Sequence, residues 1–163
     1  MSSIYVAALY STRDQVRSEV VPLLGRAGHI VTARWLWEDE PPGSERASAV
    51  KDLEDVRRSD ALLLLTLPYG TMYKGGGRAW EAGYAMGLGK RTYVLGDHEI
   101  IFCHHPEVRI FHVMDDVVND LRRDPPVNRS RQMLDWCHHT FGTVAMAETG
   151  DPGLVRVVMD MKA

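Results

Sequence analysis

Five short apolar, β-rich runs punctuate the first two-thirds of the chain: Ile4–Tyr10, His29–Trp35, Ala61–Leu67, Thr92–Leu95 and Val108–Val113. Each has the length and residue types of a strand. The third, Ala-Leu-Leu-Leu-Leu-Thr-Leu, is apolar without alternation, which predicts a central strand covered on both faces. Between the runs the apolar spacing becomes helical. Ser11 or Thr12 is placed to cap a helix to about Gly25, with Val16, Val20, Leu23 and Leu24 on one face and Gly25 or Gly28 as its stop. Ser44 is placed to cap a second helix, with Val50, Leu53 and Val56 as its buried stripe. A third helix is expected from about Gly77 to Leu88, stopped by Gly89, and a fourth from Met114-Asp115 to just before Pro125-Pro126.

Strands alternating with helices over short connections predict βαβ units, and so a mainly parallel sheet with right-handed crossovers. Such sheets bind ligands beyond the carboxyl ends of their strands. That rule selects four loops: Leu9–Arg13, Trp35–Gly43, Thr66–Gly77 and Gly96–His105. Beyond them Asp124-Pro125-Pro126 reads as a linker, and Ser130–Phe141 as one more amphipathic helix. The expected organisation is a catalytic domain over 1–124 and a helical C-terminal extension over 125–163, of unassigned role.

Composition changes this picture little. The 163 residues are 45% hydrophobic and 25% charged, enough for one domain with a core. A net charge of -3 supports neither a nucleic-acid partner nor an anionic membrane surface, while leaving room for a small anionic ligand. With no leader-like start and no apolar stretch near the roughly 20 residues a membrane span needs, a cytoplasmic location is expected. Cys103 and Cys137 share no metal or redox spacing, so free thiols are expected. His104-His105 and Cys137-His138-His139 are adjacent residues, which rarely converge on one ion, so no metal is expected.

The chemistry concentrates between Tyr69 and Tyr84. Gly75, Gly76 and Gly77 let backbone approach a ligand closely, and the helix that follows offers N–H groups and a positive dipole end to a phosphate or ribose oxygen. Lys74 and Arg78 add charge there. Glu81 stands one turn in, where the dipole favours a carboxylate available as a nucleophile. Ala82, Gly83, Ala85, Gly87 and Gly89 make the helix small-sided, as close packing on a sheet requires. Tyr69, Met72 and Tyr73 precede the glycines and serve either to stack on a base or to pack as a lid.

Tyr5-Val6-Ala7-Ala8, then Asp52-Leu53 before Asp60-Ala61-Leu62-Leu63, and then Gly77-Arg78-Ala79-Trp80-Glu81-Ala82-Gly83-Tyr84-Ala85 running on to Gly89-Lys90, stand in an order that resembles the nucleoside 2-deoxyribosyltransferase superfamily. That superfamily includes 2'-deoxynucleoside 5'-phosphate N-hydrolases. The resemblance covers about residues 4–121 and implies a flavodoxin-like (Rossmann-like) three-layer α/β fold with a five-stranded parallel sheet. It implies Glu81 as the nucleophile at the anomeric carbon, Tyr5 as the residue that orients it, and Asp52 as the proton donor or relay for the leaving base. A covalent glycosyl-enzyme resolved by a second base makes a transferase; one resolved by water makes a hydrolase. Neither route requires a cofactor.

Free-nucleoside transferases of this superfamily carry acidic residues shortly before the nucleophile, where this chain has Gly75, Gly77 and Arg78. Together with Ser11 and Arg13 these form a phosphate-binding set, since guanidinium suits bidentate phosphate contacts. The reading therefore leans to a 5'-monophosphate substrate; the alternative is that Arg13 and Arg78 form surface ion pairs with Asp14 or Glu38. The resemblance also implies a homodimer or larger homo-oligomer, in which the loop Asp97–His105 completes a neighbour's site. A non-catalytic nucleotide sensor and a glutamate-dependent NAD glycohydrolase are the other function classes to be tested.

Overall fold

A computed structural model describes residues 1–39, 41–66, 76–97 and 101–123. Strands β1 (Ser3–Ala7), β2 (Ile30–Val31), β3 (Ala61–Leu65), β4 (Arg91–Leu95) and β5 (Val108–Phe111) form one sheet in the order β2-β1-β3-β4-β5. Every pairing is parallel. The crossovers from β2 to β3 and from β3 to β4 step the same way across the sheet. Right-handedness therefore puts their helices, α3 (Glu45–Arg58) and α4 (Gly77–Gly87), on the same face. The connection from β1 to β2 steps the other way and puts α1 (Arg13–Gln15) and α2 (Val21–Arg26) on the opposite face. Helix α5 (Met114–Arg123) packs on β4 and β5. This is the expected three-layer α/β fold. As its apolar run predicts, β3 is central, with Ala61, Leu62, Leu63 and Leu64 all buried.

Several local expectations are corrected. The first helix is not uniform: a 3-10 turn (Tyr10–Thr12), α1, a π-helical turn (Val16–Val20) and α2 follow one another. Pro22 lacks an N–H, and its ring crowds the carbonyl four residues back, so the wider turn falls where a regular helix would clash. Thr12 caps nothing, because its hydroxyl donates back to the Leu9 carbonyl at 2.7 Å. The second strand is two residues long, not seven. After Thr32 the chain leaves the ladder for a 3-10 turn, Arg34–Leu36, in which the Trp35 Nε1 donates to the Val6 carbonyl at 2.9 Å.

Helix α3 carries the largest correction. Val50 is 65% exposed and Leu53 37% exposed; only Val56 of the expected stripe is buried. The inward face is polar, with Asp55 buried against Arg34 and Asp52 half-buried one turn earlier. Ser44 does not cap the helix; its hydroxyl donates to the Pro41 carbonyl. The far end is held by a cation instead. Lys90 is buried, and its ammonium donates to the carbonyls of Arg57, at 2.8 Å, and Ser59. A cation at a helix carboxyl end satisfies carbonyls left without intrahelical partners and matches the dipole. Gly89, at φ +63°, makes the reversal out of α4 that delivers Lys90 there.

The small residues of α4 divide by face. Ala82 and Ala85 pack inward, whereas Gly83 and Gly87 are exposed and a side chain at either would meet nothing. Close packing on the sheet therefore depends on the two alanines. The expected extension over 125–163 lies outside the described residues.

Replacing Lys90 by Met removes a charged donor from one buried and one part-buried carbonyl and is expected to cost about 2 kcal/mol. Urea unfolding followed by circular dichroism reads this directly. An unchanged midpoint would show that α3 is held without it.

Candidate active site

Tyr5 is the middle residue of β1, and its side chain points to the face carrying α3 and α4, both of which touch β1. The side chain is wholly buried, and its hydroxyl donates to Glu81 Oε1 at 2.8 Å. Two residues 76 positions apart thus meet through the packing of α4 on the sheet. Asp52 reaches the same place from α3. Burial, then the charge of Glu81, then that of Asp52, the hydrogen bond to Glu81 and the charge of Asp55 all push the Tyr5 phenol far above its ordinary value. The phenol is therefore a fixed neutral donor, with two acidic side chains around it beside the one it bonds.

Glu81 lies in the second turn of α4, which begins at Gly77 without a side-chain cap. Helix-end dipole effects fade within the first turn. One polar partner that the geometry supplies is the Tyr5 hydroxyl.

The expected phosphate set is spread over the carboxyl edge. Ser11 is exposed in the turn after β1. Arg13 lies over the Tyr10 ring, 5.1 Å from its centre, and donates to the Tyr10 hydroxyl at 3.0 Å, to the Glu38 carbonyl and to Asp39 Oδ1. Its ion-pair partner is thus Asp39. Asp14 pairs with Arg17 and Glu38 with Lys51. Arg78, one turn before Glu81, is buried and donates to the Leu65 carbonyl at the end of β3 at 2.8 Å. Gly77 opens α4 and is exposed. Gly75, Tyr69 and Tyr73 lie outside the described residues, as do Met72, Lys74 and residues 98–100 of the loop expected to reach a neighbour.

A crevice of about 330 Å³ opens where the sheet order reverses between β1 and β3, lined by Leu9, Thr12, Gln15, Glu19, Thr66 and Arg78 among others. Ligands of open parallel sheets bind at such reversals. Gly96, at φ +112°, closes the end of β4 beside it; a Cβ there would come within 2.6 Å of Thr66 Oγ1, so only glycine fits. A larger groove, about 830 Å³, is nearly all apolar and lies over β3, β4 and β5 beside α4, with Leu64, Ala82, Val94 and Cys103 in its wall. Neither lining includes Tyr5, Asp52 or Glu81, so neither cavity by itself marks the reaction site.

Sequence reasoning missed Arg34 and Asp55. The Arg34 main-chain N–H and Nε donate to the two Asp55 oxygens at 2.9 and 2.7 Å. The signal was available: Asp55 stands three residues after Asp52 and so on the same helical face.

No family model matches the sequence, and no curated protein matches it. Solved structures match its fold. One is a 2-deoxyribosyltransferase from the psychrotolerant bacterium Bacillus psychrosaccharolyticus, at 23% identity and TM-score 0.57, covering 72% of this chain and 90% of that one. A second is a 2-deoxyribosyltransferase from Leishmania mexicana, at 15% identity and TM-score 0.61, covering 76% and 98%. A third is a CMP N-glycosidase of Clostridium botulinum, at 16% identity and TM-score 0.53, covering 75% and 99%. The likeness is one of fold: this chain shares the three-layer α/β architecture of those enzymes.

Because the Tyr5 phenol is pushed up, the folded protein keeps its proton where an unfolded chain releases it. The stability linked to Tyr5 is therefore present below pH of about 10 and lost above it. In an ultraviolet pH titration, wild type and Tyr5→Phe are expected to give the same phenolate signal while folded and to differ by one tyrosine once unfolded. A folded-state difference appearing near pH of about 10 would contradict the buried hydrogen bond.

Proposed function

We propose that the protein belongs to the nucleoside 2-deoxyribosyltransferase superfamily and cleaves the N-glycosidic bond of 2'-deoxynucleosides or their 5'-monophosphates through a deoxyribosyl ester on Glu81. The observation that carries this reading is the buried Tyr5–Glu81 hydrogen bond with Asp52 gathered beside it, in a fold shared with enzymes named for that chemistry. Tyr5 holds one oxygen of Glu81, and the other attacks the anomeric carbon. As the C–N bond breaks, the base leaves with its electron pair and takes a proton from Asp52. Water then attacks the same carbon, gives its proton to Asp52, and frees Glu81 with configuration retained. Residues 1–124 form the catalytic unit.

The reading leans to a 5'-monophosphate and to water as the second attacker. Support comes from Arg78 in the crevice at the sheet reversal and from Ser11 and Arg13, the chain neighbours of Thr12 in its lining. Arg13 would exchange Asp39 for phosphate, a swap between two oxyanions at an exposed position. Base exchange shares the same first step and differs only in the second attacker.

A second copy of the chain is the proposed partner. Along α4 the positions Gly76, Trp80, Gly83 and Gly87 face outward, with Trp80 79% exposed, and the neighbouring α3 exposes Val50 and Leu53. An apolar face of this kind on a small protein marks an association surface.

Two measurements test these readings. Incubation with each deoxynucleoside and deoxynucleoside monophosphate, with and without a second base, and with NAD, is followed by chromatography. Base released from a monophosphate alone supports the hydrolase, and exchange supports the transferase. Glu81→Gln should lower turnover by at least about three orders of magnitude with the fold intact. Turnover retained by Glu81→Gln, or ligand binding without turnover by the wild type, sinks the mechanism. In sedimentation, wild type should run as a dimer and Trp80→Glu as a monomer; a monomeric wild type removes the second copy.

A further inference from the structure

The turn after β2 sends two successive side chains to the two elements that carry Tyr5 and Asp52. Trp35 donates to the carbonyl of Val6, the residue after Tyr5 on β1. Arg34 takes hold of α3 around Asp52. Its main-chain N–H and Nε engage both oxygens of Asp55, and its Nη2 donates to Glu54 Oε2 at 3.0 Å and to the Lys51 carbonyl at 3.4 Å. Residues 51, 54 and 55 bracket Asp52 on the helix. The Asp55 side chain is only 4% exposed and the Arg34 side chain 38%, so the guanidinium covers a buried carboxylate from the surface.

Apolar burial cannot set the rotation of α3, because Val50 and Leu53 face solvent and Val56 is its one buried apolar side chain. A helix advances about 100° per residue, so a modest rotation would carry Asp52 away from the Tyr5–Glu81 pair. A planar guanidinium that bonds several groups at fixed angles resists such rotation. Asp55 also places a third acidic side chain near Tyr5, and Arg34 sets a positive charge against it.

We propose that Arg34 is a positioning residue, which, through Asp55 and with Trp35 braced on β1, fixes the approach of Asp52 to the leaving base. This rests on the reaction proposed above. The role predicts a dependence on the leaving group. A nucleobase needs a proton from a placed Asp52, whereas 4-nitrophenolate departs without one.

The test compares wild type, Arg34→Gln, Arg34→Lys and Asp55→Asn on a deoxynucleoside monophosphate and on a 2-deoxyribosyl glycoside of 4-nitrophenol. Thermal melts check folding. Arg34→Gln and Asp55→Asn should lose about a hundredfold in kcat on the nucleotide with little change in KM, the scale expected of an ångström-size misplacement. In the pre-steady-state burst of nitrophenolate, which reads ester formation before the shared water step in which Asp52 takes a proton, both should stay near wild type. Arg34→Lys, with its charge but not its fork, should recover part of the loss, and it carries the test alone if Arg34→Gln does not fold.

Equal losses in the nitrophenolate burst and on the nucleotide, or no loss on the nucleotide, would overturn the positioning role while leaving wild-type turnover and the Glu81→Gln defect as expected. A wild type that cleaves neither substrate overturns the reaction and this role with it.

Discussion

A phenol with no access to solvent must find its hydrogen-bond partner inside the protein, because an unpaired buried hydroxyl costs about 1–3 kcal/mol. Tyr5 meets that demand with Glu81, and the rest of the site depends on the solution. The strand carrying Tyr5 is flanked on one face by both α3 and α4, a consequence of two crossovers that step the same way across the sheet. Glu81 and Asp52 are therefore brought to one hydroxyl from different helices. The charge around Tyr5 keeps it a donor, and a permanent donor fixes the orientation of the carboxylate it bonds.

Polar clamps, more than an apolar stripe, hold α3. Lys90 fastens the carboxyl end of α3 to the start of β4, and Arg34 grips its middle. Helix α4 instead lies close on the sheet through Ala82 and Ala85. The difference suits their loads. A helix seated by alanines is fixed in distance from the sheet, while a helix seated by a guanidinium and an ammonium is fixed in rotation. The outward faces are left to Trp80, Val50 and Leu53, which the core does not use.

What the sequence made legible follows the same division. The unbroken apolar run of β3 announced a central strand, and the Gly89 stop and the small-sided helix before it were readable because they obey local rules. The meeting of Tyr5 with Glu81 was reached through a family resemblance, not through spacing, since 76 residues separate them. Two of the three misreadings share one cause. Val50, Leu53 and Val56 predict one phase for α3, yet the helix turns Asp55 inward to a long-range ion pair with Arg34. The apolar run His29–Trp35 predicts a strand through Trp35, whereas its indole N–H donates to the Val6 carbonyl where the chain turns. Pro22 was passed over inside an otherwise regular helical pattern, where a π turn accommodates it. Tertiary hydrogen bonds overrode local pattern in the first two cases.

The proposed reaction makes Glu81 the residue that bonds the sugar, and Tyr5 and Asp52 the groups that make its ester form and break. The most direct test is rapid acid quench of the enzyme during turnover of a deoxynucleoside monophosphate, followed by intact mass spectrometry and tryptic mapping. The account predicts a transient adduct of one deoxyribosyl phosphate on the peptide Ala79–Lys90, absent from Glu81→Gln. Turnover with no adduct at any quench time, or an adduct on another peptide, would contradict it.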